Sequence, residues 1–228
     1  MSDSPGQPLW KLLNVLCKPH PWHGISPGED APALVNCFIE VVPCDTVKYE
    51  IDKVSGYLKV DRPQRYSNIC PALYGFLPQS YCGESVAEFS KQKTGRDLAG
   101  DGDPLDFCVL TDRPIEHGNL LVECIPIGGF RMLDSGEVDD KIIAVLKDDA
   151  TYGLWRDIDQ APDFVLDRMR HYFLTYKLPP GAVSSKCEIT HTYGVAEAHE
   201  VIRRSFADYQ ERFGNLEDML TSALSLMR

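Results

Sequence analysis

No run of 18 apolar residues occurs in this 228-residue chain, which leaves no candidate for a membrane-spanning helix. Asp3 and Pro5 stand where an export leader would carry its positive n-region and apolar core, so no such leader is expected. The eight cysteines, at 17, 37, 44, 70, 82, 108, 124 and 187, contain no C-x-x-C pair, which removes zinc-ribbon spacing. Most sit inside apolar runs, where Cys behaves as a small hydrophobe, and a cytoplasmic setting with reduced thiols is expected. Positive charge is also scarce. Lys and Arg total 23 against 34 Asp and Glu, a net charge of −11. That balance argues against a nucleic-acid binder, which needs a basic face. It does not exclude an anionic small substrate, because a local pocket of Lys, Arg and bound divalent cations inverts the local field. The chain shows no internal repeat and no low-complexity segment.

What is present suits one sizeable core: 43% hydrophobic and 25% charged residues, an ordinary globular balance. Residues 1–33 are rich in Pro and Gly and read as an irregular N-terminal arm with a short apolar turn near Leu12 to Leu16. In the arm, His20 and His23 flank Pro21 and Trp22, open to either a metal-ligand or a packing reading. Alternation then predicts strands over Val35–Val42, Val47–Ile51 and Tyr57–Arg62, the last two joined as a hairpin through Ser55-Gly56. Further strands are predicted over Leu120–Leu133 and Lys141–Lys147, joined by the polar turn Asp134 to Glu137. Helical spacing follows in Val165, Met169, Tyr172, Phe173 and Tyr176, with Pro162 near the start and Pro179-Pro180-Gly181 as the stop. A second stripe, Ala198, Val201, Ile202, Phe206, Tyr209 and Phe213, ends at Gly214. The tail Leu216–Met227 reads as further amphipathic helix. Short strands with peripheral helices point to a small closed β-barrel with helices outside it.

The most informative segment is Asp101-Gly102-Asp103-Pro104-Leu105-Asp106, followed by the apolar Phe107-Cys108-Val109-Leu110. Like charges at roughly 4 Å in an effective dielectric near 20 repel by about 4 kcal/mol. Carboxylates that close either take up protons or hold a cation. Oxygen donors without nearby Cys or His favour Mg²⁺, Mn²⁺ or Ca²⁺ over zinc. In extended chain Asp101 and Asp103 point the same way. Charged residues on β-patterned segments, Glu40, Lys48, Glu50 and Arg62, read either as a solvated sheet face or as the wall of a cleft. Asp134 and Asp139-Asp140 beside Lys141 read as a second acidic group or a charged hairpin loop. Tyr176-Lys177, at the end of a helix, carries little signal alone. An EF-hand beginning at Asp101 is excluded: its sixth position is Asp106 rather than Gly, its twelfth is Asp112, and no helix pattern precedes it. A haloacid-dehalogenase-like phosphatase needs an apolar strand before its Asp pair, and Asp97-Leu98-Ala99-Gly100 is not one. The acidic balance speaks against a nucleic-acid-binding OB-fold.

With these residues in order, the chain resembles the soluble family I inorganic pyrophosphatases. The six-residue acidic segment matches that family's signature. Phe38-Ile39-Glu40-Val41-Val42-Pro43, Lys48-Tyr49-Glu50-Ile51-Asp52, Val60-Asp61-Arg62, Tyr74-Gly75, Asp134 to Lys141, and His171-Tyr172-Phe173 through Tyr176-Lys177 fall in the family order, over roughly residues 34–210. The resemblance implies an α+β fold, an OB-like five-stranded closed β-barrel with flanking α-helices. It places a single catalytic domain at 34–213 between the arm 1–33 and a tail 214–228. It implies Mg²⁺-dependent hydrolysis of pyrophosphate, with Mn²⁺ as a substitute, in a homo-oligomer, with a hexamer favoured. Carried over residue by residue, Asp101, Asp106 and Asp139 are expected to hold activating metals, Asp106 bridging two. Asp103 is expected to be the base, and Asp134 with Asp139 to hold a further ion. Glu40 would support the substrate-side metal, with Glu50 behind the ligands. Lys48, Arg62, Tyr74, Lys141, Tyr176 and Lys177 are expected on phosphate. Three departures stand out. Cys70 replaces a Tyr of many bacterial members, Ser135 replaces a frequent Glu, and the stretch Pro78 to Gly100 is longer than their short loop. That stretch reads as a lid, an assembly contact or, by default, a surface loop.

Overall fold

The computed structural model describes residues 18–179, 181–182, 185–214 and 222. In chain order the elements are β1 (Val35–Val41), β2 (Val47–Ile51), β3 (Leu58–Pro63), β4 (Leu73–Phe76), α1 (Glu84–Thr94), β5 (Ala99–Gly100), β6 (Asp106–Leu110), β7 (Leu120–Asp134), β8 (Glu137–Val138), β9 (Lys141–Leu146), α2 (Asp163–Thr175), β10 (Cys187–Gly194) and α3 (Val195–Phe213), with a 3-10 turn at Ile158–Gln160.

Five of these strands form a ring. β1 pairs with β4, β4 with β6, β6 with β9, β9 with β7, and β7 with β1 again. Within this ring only the β6–β9 pair is parallel. The sequence of these two strands explains their place. Phe107 to Leu110 and Ile142 to Val145 are apolar on both faces, as strands covered on both sides must be. One face joins a core with Val35, Cys37, Ile39 and Val138. The other joins Phe130, Met132, Met169 and Phe173. β1 is buried along almost its whole length, so its alternation does not mark a solvent face. Gly75 shows how close the ring strands approach: a Cβ there would lie 1.8 Å from the Phe38 carbonyl oxygen. β2 and β3 form a separate hairpin that leans on β1.

α3 runs from Val195 to Phe213 and ends at Gly214, whose φ is 68° and whose N–H donates to the Gln210 carbonyl. Its buried stripe includes Ala198, Val201, Ile202 and Tyr209. Two expectations are corrected. Residues 78–100 are not a plain surface loop, because they contain α1, which buries Val86, Ala87, Phe89 and Ser90 and packs on α3. A helix therefore does precede the acidic segment. The EF-hand remains excluded, since Asp106 opens a strand where that loop needs its Gly. β4 and β10 carried no clear alternation. β10 has a register shift between Ile189 and His191 that breaks the period of two.

The arm packs rather than ligates. Trp22 is buried and its Nε1 donates to the Ser80 carbonyl at 2.7 Å. His23 stacks on Trp22 and its Nδ1 lies 2.7 Å from the Tyr209 hydroxyl. Burial, then the neighbouring His20, pushes the His23 pKa down to about 4. The apolar turn expected near Leu12 to Leu16 lies outside the described residues, as does the C-terminal tail apart from Gly214 and Ser222.

Candidate active site

The acidic segment is a turn between β5 and β6, not an extended chain. Gly102 adopts φ 73°, a left-handed conformation that glycine takes without a side-chain clash. The Asp103 N–H donates to Asp101 Oδ1 at 3.0 Å. Segment 77–82 pins the turn from outside. Cys82 N–H donates to the Asp103 carbonyl, Gly102 N–H to the Cys82 carbonyl, and Leu105 N–H to Ser80 Oγ. Asp101, Asp103 and Asp106 thus line one cleft despite the turn.

The rest of the ring supplies its other walls. β1 contributes Glu40, β2 Lys48 and Glu50, β4 Tyr74, β7 Asp134, the β8–β9 connection Asp139 and the start of β9 Lys141. Tyr176 and Lys177 enter from the end of α2. Every residue expected from the sequence therefore lines the cleft except Arg62. Its guanidinium bonds Asp61 and stands 5.8 Å from the Tyr176 ring centre, at the edge. Cys70 is buried in the core and is not part of the lining. Two charged lining residues, Lys53 and Glu137, were missed by the sequence reading. Lys53 lies past the end of β2, off its alternation, and Glu137 follows the β7–β8 turn, so neither carried a periodic signal.

The electrostatics follow from the count. Eight carboxyl side chains face four lysines in a cleft of about 260 Å³, less than a drug-sized ligand fills. Lys141, almost wholly buried, bonds both Asp106 and Asp139. Lys177 bonds Asp134, and Lys53 bonds Asp103. The Tyr74 hydroxyl donates to Asp106 Oδ2 at 2.5 Å. Glu40, 5% exposed, accepts from the Ile51 N–H at 2.6 Å. It is no member of a solvated sheet face.

Burial is the leading cause of the perturbed acids. It raises the Glu40 pKa to about 8. Burial and then the charge of Asp139 raise Asp101 to about 8. Asp139 is raised to about 6, with burial and Asp106 outweighing Lys141. Lys141 moves up, since its two carboxylates outweigh burial. Asp134 moves down: burial pushes it up, but the bond and charge of Lys177 with the bonds of Ser135 and Cys187 together outweigh that. Among the described residues, no three carboxyl, His or Cys groups are arranged to hold a metal ion; lysine ammonium groups bond Asp103, Asp106, Asp134 and Asp139. The donor chemistry nonetheless fits a hard cation. It is all oxygen, it is in excess over the lysines, and its most buried members resist ionising without further positive charge.

A family model described as inorganic pyrophosphatase matches residues 37–210. The chain belongs to the inorganic pyrophosphatase family. An inorganic pyrophosphatase of Chlamydia muridarum is 53% identical over 199 residues, covering 85% of this chain and 95% of that protein. A soluble inorganic pyrophosphatase 2 of Chlamydomonas reinhardtii is 38% identical over 194 residues, covering 85% and 90%. The crystal structure of the inorganic pyrophosphatase from Thermus thermophilus superposes with a TM-score of 0.68 at 30% identity, covering 82% of this chain and 97% of that one. The family's mixed sheet with flanking helices is the architecture seen here.

Proposed function

We propose that this chain hydrolyses inorganic pyrophosphate to two phosphates, with Mg²⁺ as its metal and Asp103 as its base. The observation that carries the reading is the convergence of Asp101, Asp103, Asp106, Asp139, Lys141, Tyr74 and Lys177 on one small cleft. A diphosphate is a compact polyanion, and a cleft with more carboxyls than lysines admits it only with cations. Asp101, Asp106 and Asp139 would hold the activating ions. Asp134 and Asp139 would hold a further one, with Glu40 and Glu50 supporting the set. Such an ion, when bound, lowers the pKa of water and offsets phosphate charge.

The chain's own groups do the rest. Asp103 accepts the proton of the attacking water. Its bond with Lys53 keeps the carboxylate oriented toward the cleft before that. Lys48, Lys141 and Lys177 meet the phosphate oxygens, and Tyr74 and Tyr176 donate to them. Arg62 joins by exchanging Asp61 for a phosphate, a contact that suits its planar fork. We read the five-strand ring as an OB-like closed barrel, and the chain as cytoplasmic and homo-oligomeric. The thiols of the described residues are all free, as a reducing compartment requires. The direct test is phosphate release from pyrophosphate with Mg²⁺, with and without chelator. Release that chelator abolishes is expected; no release with Mg²⁺ present overturns the reading.

A further inference from the structure

Directly beneath the cleft lies a buried ionic cluster that the reaction does not use. Arg131 and Asp140 have wholly buried side chains, and Arg131 Nη1 stands 2.8 Å from Asp140 Oδ2. Arg131 Nη2 donates to Glu197 Oε1 at 2.8 Å. Glu197 also meets Lys93 Nζ at 2.8 Å, and His191 at 3.3 Å. The Tyr193 hydroxyl donates to Asp140 Oδ2 at 3.1 Å. The guanidinium lies between two rings, 5.2 Å from the centre of Phe89 and 5.1 Å from that of Tyr193. One cluster therefore joins β7, the residue just before β9, β10, α1 and α3.

The strand ladder ties this cluster to the cleft. Leu133 pairs with Val138, and Phe130 pairs with Lys141. One step in from the second pair, Arg131 stands opposite Asp140. Side chains alternate along a strand, so Asp140 points away from the cleft while Asp139 and Lys141 point into it. A slip of one residue would reverse all three. Between those two pairs, the Asp139 N–H donates to the Met132 carbonyl, and the side chains of Arg131 and Asp140 add a second tie at the next position. A buried ion pair is a poor source of stability, since apolar residues of similar volume do as well or better. Its directional value is greater. An Asp140 carboxylate displaced from Arg131 would be a buried charge with the Tyr193 hydroxyl as its remaining partner, while Arg131 would keep only Glu197.

We propose that Arg131 and Asp140 are positioning residues that fix the register of residues 138–141, and so present Asp139 and Lys141 to the metal and the substrate. The helix α1, through Phe89 and Lys93, closes the cluster from outside. The segment that exceeds the short bacterial loop thereby becomes part of the support of the site. This inference rests on the function proposed above and specifies what holds that site in shape.

The test compares wild type with the paired variant Arg131→Met with Asp140→Leu, which removes both charges together, and with Asp140→Asn alone, which keeps the shape and loses one charge. Two readouts need no turnover. Hydrogen exchange of the peptide covering residues 137–142 is followed in metal-free protein. Mg²⁺ binding to the resting protein is followed by calorimetry. The paired variant should keep a cooperative thermal transition near that of wild type, exchange this peptide faster, and bind Mg²⁺ about tenfold or more weakly, as loss of a group supporting metal ligands generally does. Its kcat for pyrophosphate should fall further than its KM rises. Wild-type exchange and wild-type Mg²⁺ affinity in a folded paired variant would overturn the proposal. If that variant does not fold, Asp140→Asn decides: looser exchange with weaker Mg²⁺ binding supports the proposal, and wild-type values for both overturn it. A wild-type protein that releases no phosphate sinks the function and leaves the exchange comparison standing. Normal release with unchanged variants sinks only this inference.

Discussion

Asp103 differs from the neighbouring carboxyls in its company. Asp106 and Asp139 share the buried Lys141, while Asp103 bonds the half-exposed Lys53 at the cleft's open side. Removing its charge should spare the metal-holding set. Asp103→Asn is expected to lower kcat by about 10²- to 10⁴-fold, the usual range for a lost general base, with Mg²⁺ binding largely retained. Steady-state phosphate release and calorimetry on the same preparation check both halves. Ser135 offers a second, independent test. It sits at φ 55°, followed by Gly136 at φ 92°, in the turn between Asp134 and Glu137. Both central residues of this two-residue turn are left-handed, which Asn tolerates better than Ser. Ser135→Asn should therefore stabilise the protein by about 0.5–1 kcal/mol, read from urea unfolding midpoints. The family position is often Glu, which fits the turn no better than Ser, so that departure carries no backbone penalty of its own.

At the scale of the element, the ring constrains the site more tightly than any helix does. Tyr74 reaches Asp106 because β4 lies directly beside β6, and Gly75 allows β4 to approach β1. Gly75→Ala would drive a methyl group into the Phe38 carbonyl, so strands must separate. A loss of about 3 kcal/mol or more is expected, and failure to accumulate as folded protein is the extreme of the same result; circular dichroism with denaturant titration measures it. The alternation of β1, β2 and β3 was readable in the sequence, and so were the stripes of α2 and α3. β6 was readable only as an apolar run at the edge of the acidic segment. α1 was not readable, because Glu84 to Thr94 has a short apolar face among charged residues. Its helical state comes from packing on α3, where Asp208 accepts from the N–H groups of Gly83, Ser85 and Val86 and so caps the helix from another element.

For the whole molecule, the decisive quantity is the balance between buried acids and available positive charge. Glu40 and Asp101 have folded pKa values of about 8, above their ordinary carboxylate values. The folded state therefore holds more protons than the unfolded chain between about pH 4 and pH 8. Stability from these groups is full below that window and is lost as pH rises through it. Asp134, whose pKa is lowered, acts in the opposite sense and only in more acidic solution. Metal-free protein should thus melt at progressively lower temperature from pH 5.5 to pH 8.5. Added Mg²⁺ should raise the melting temperature more at pH 8.5 than at pH 5.5, because the ion competes with protons for the same oxygens. Scanning calorimetry at several pH values, with and without Mg²⁺, measures this. Equal Mg²⁺ effects at both ends of the range would contradict the assignment of these acids to the metal.

The sequence by itself determined the chemistry. Three aspartates in six residues and a lysine beside a second acidic pair already point to a site for cations, since local spacing fixes which charges must be compensated, and the resemblance to the soluble family I pyrophosphatases supplied the substrate. Only the tertiary structure decided which of those charges meet. Asp103 bonds Lys53, Arg62 stays at the edge, and Glu40 is buried. Arg131 was invisible as a partner of Asp140. Such pairings depend on strand register and on contacts across many residues of chain, and no local pattern encodes them.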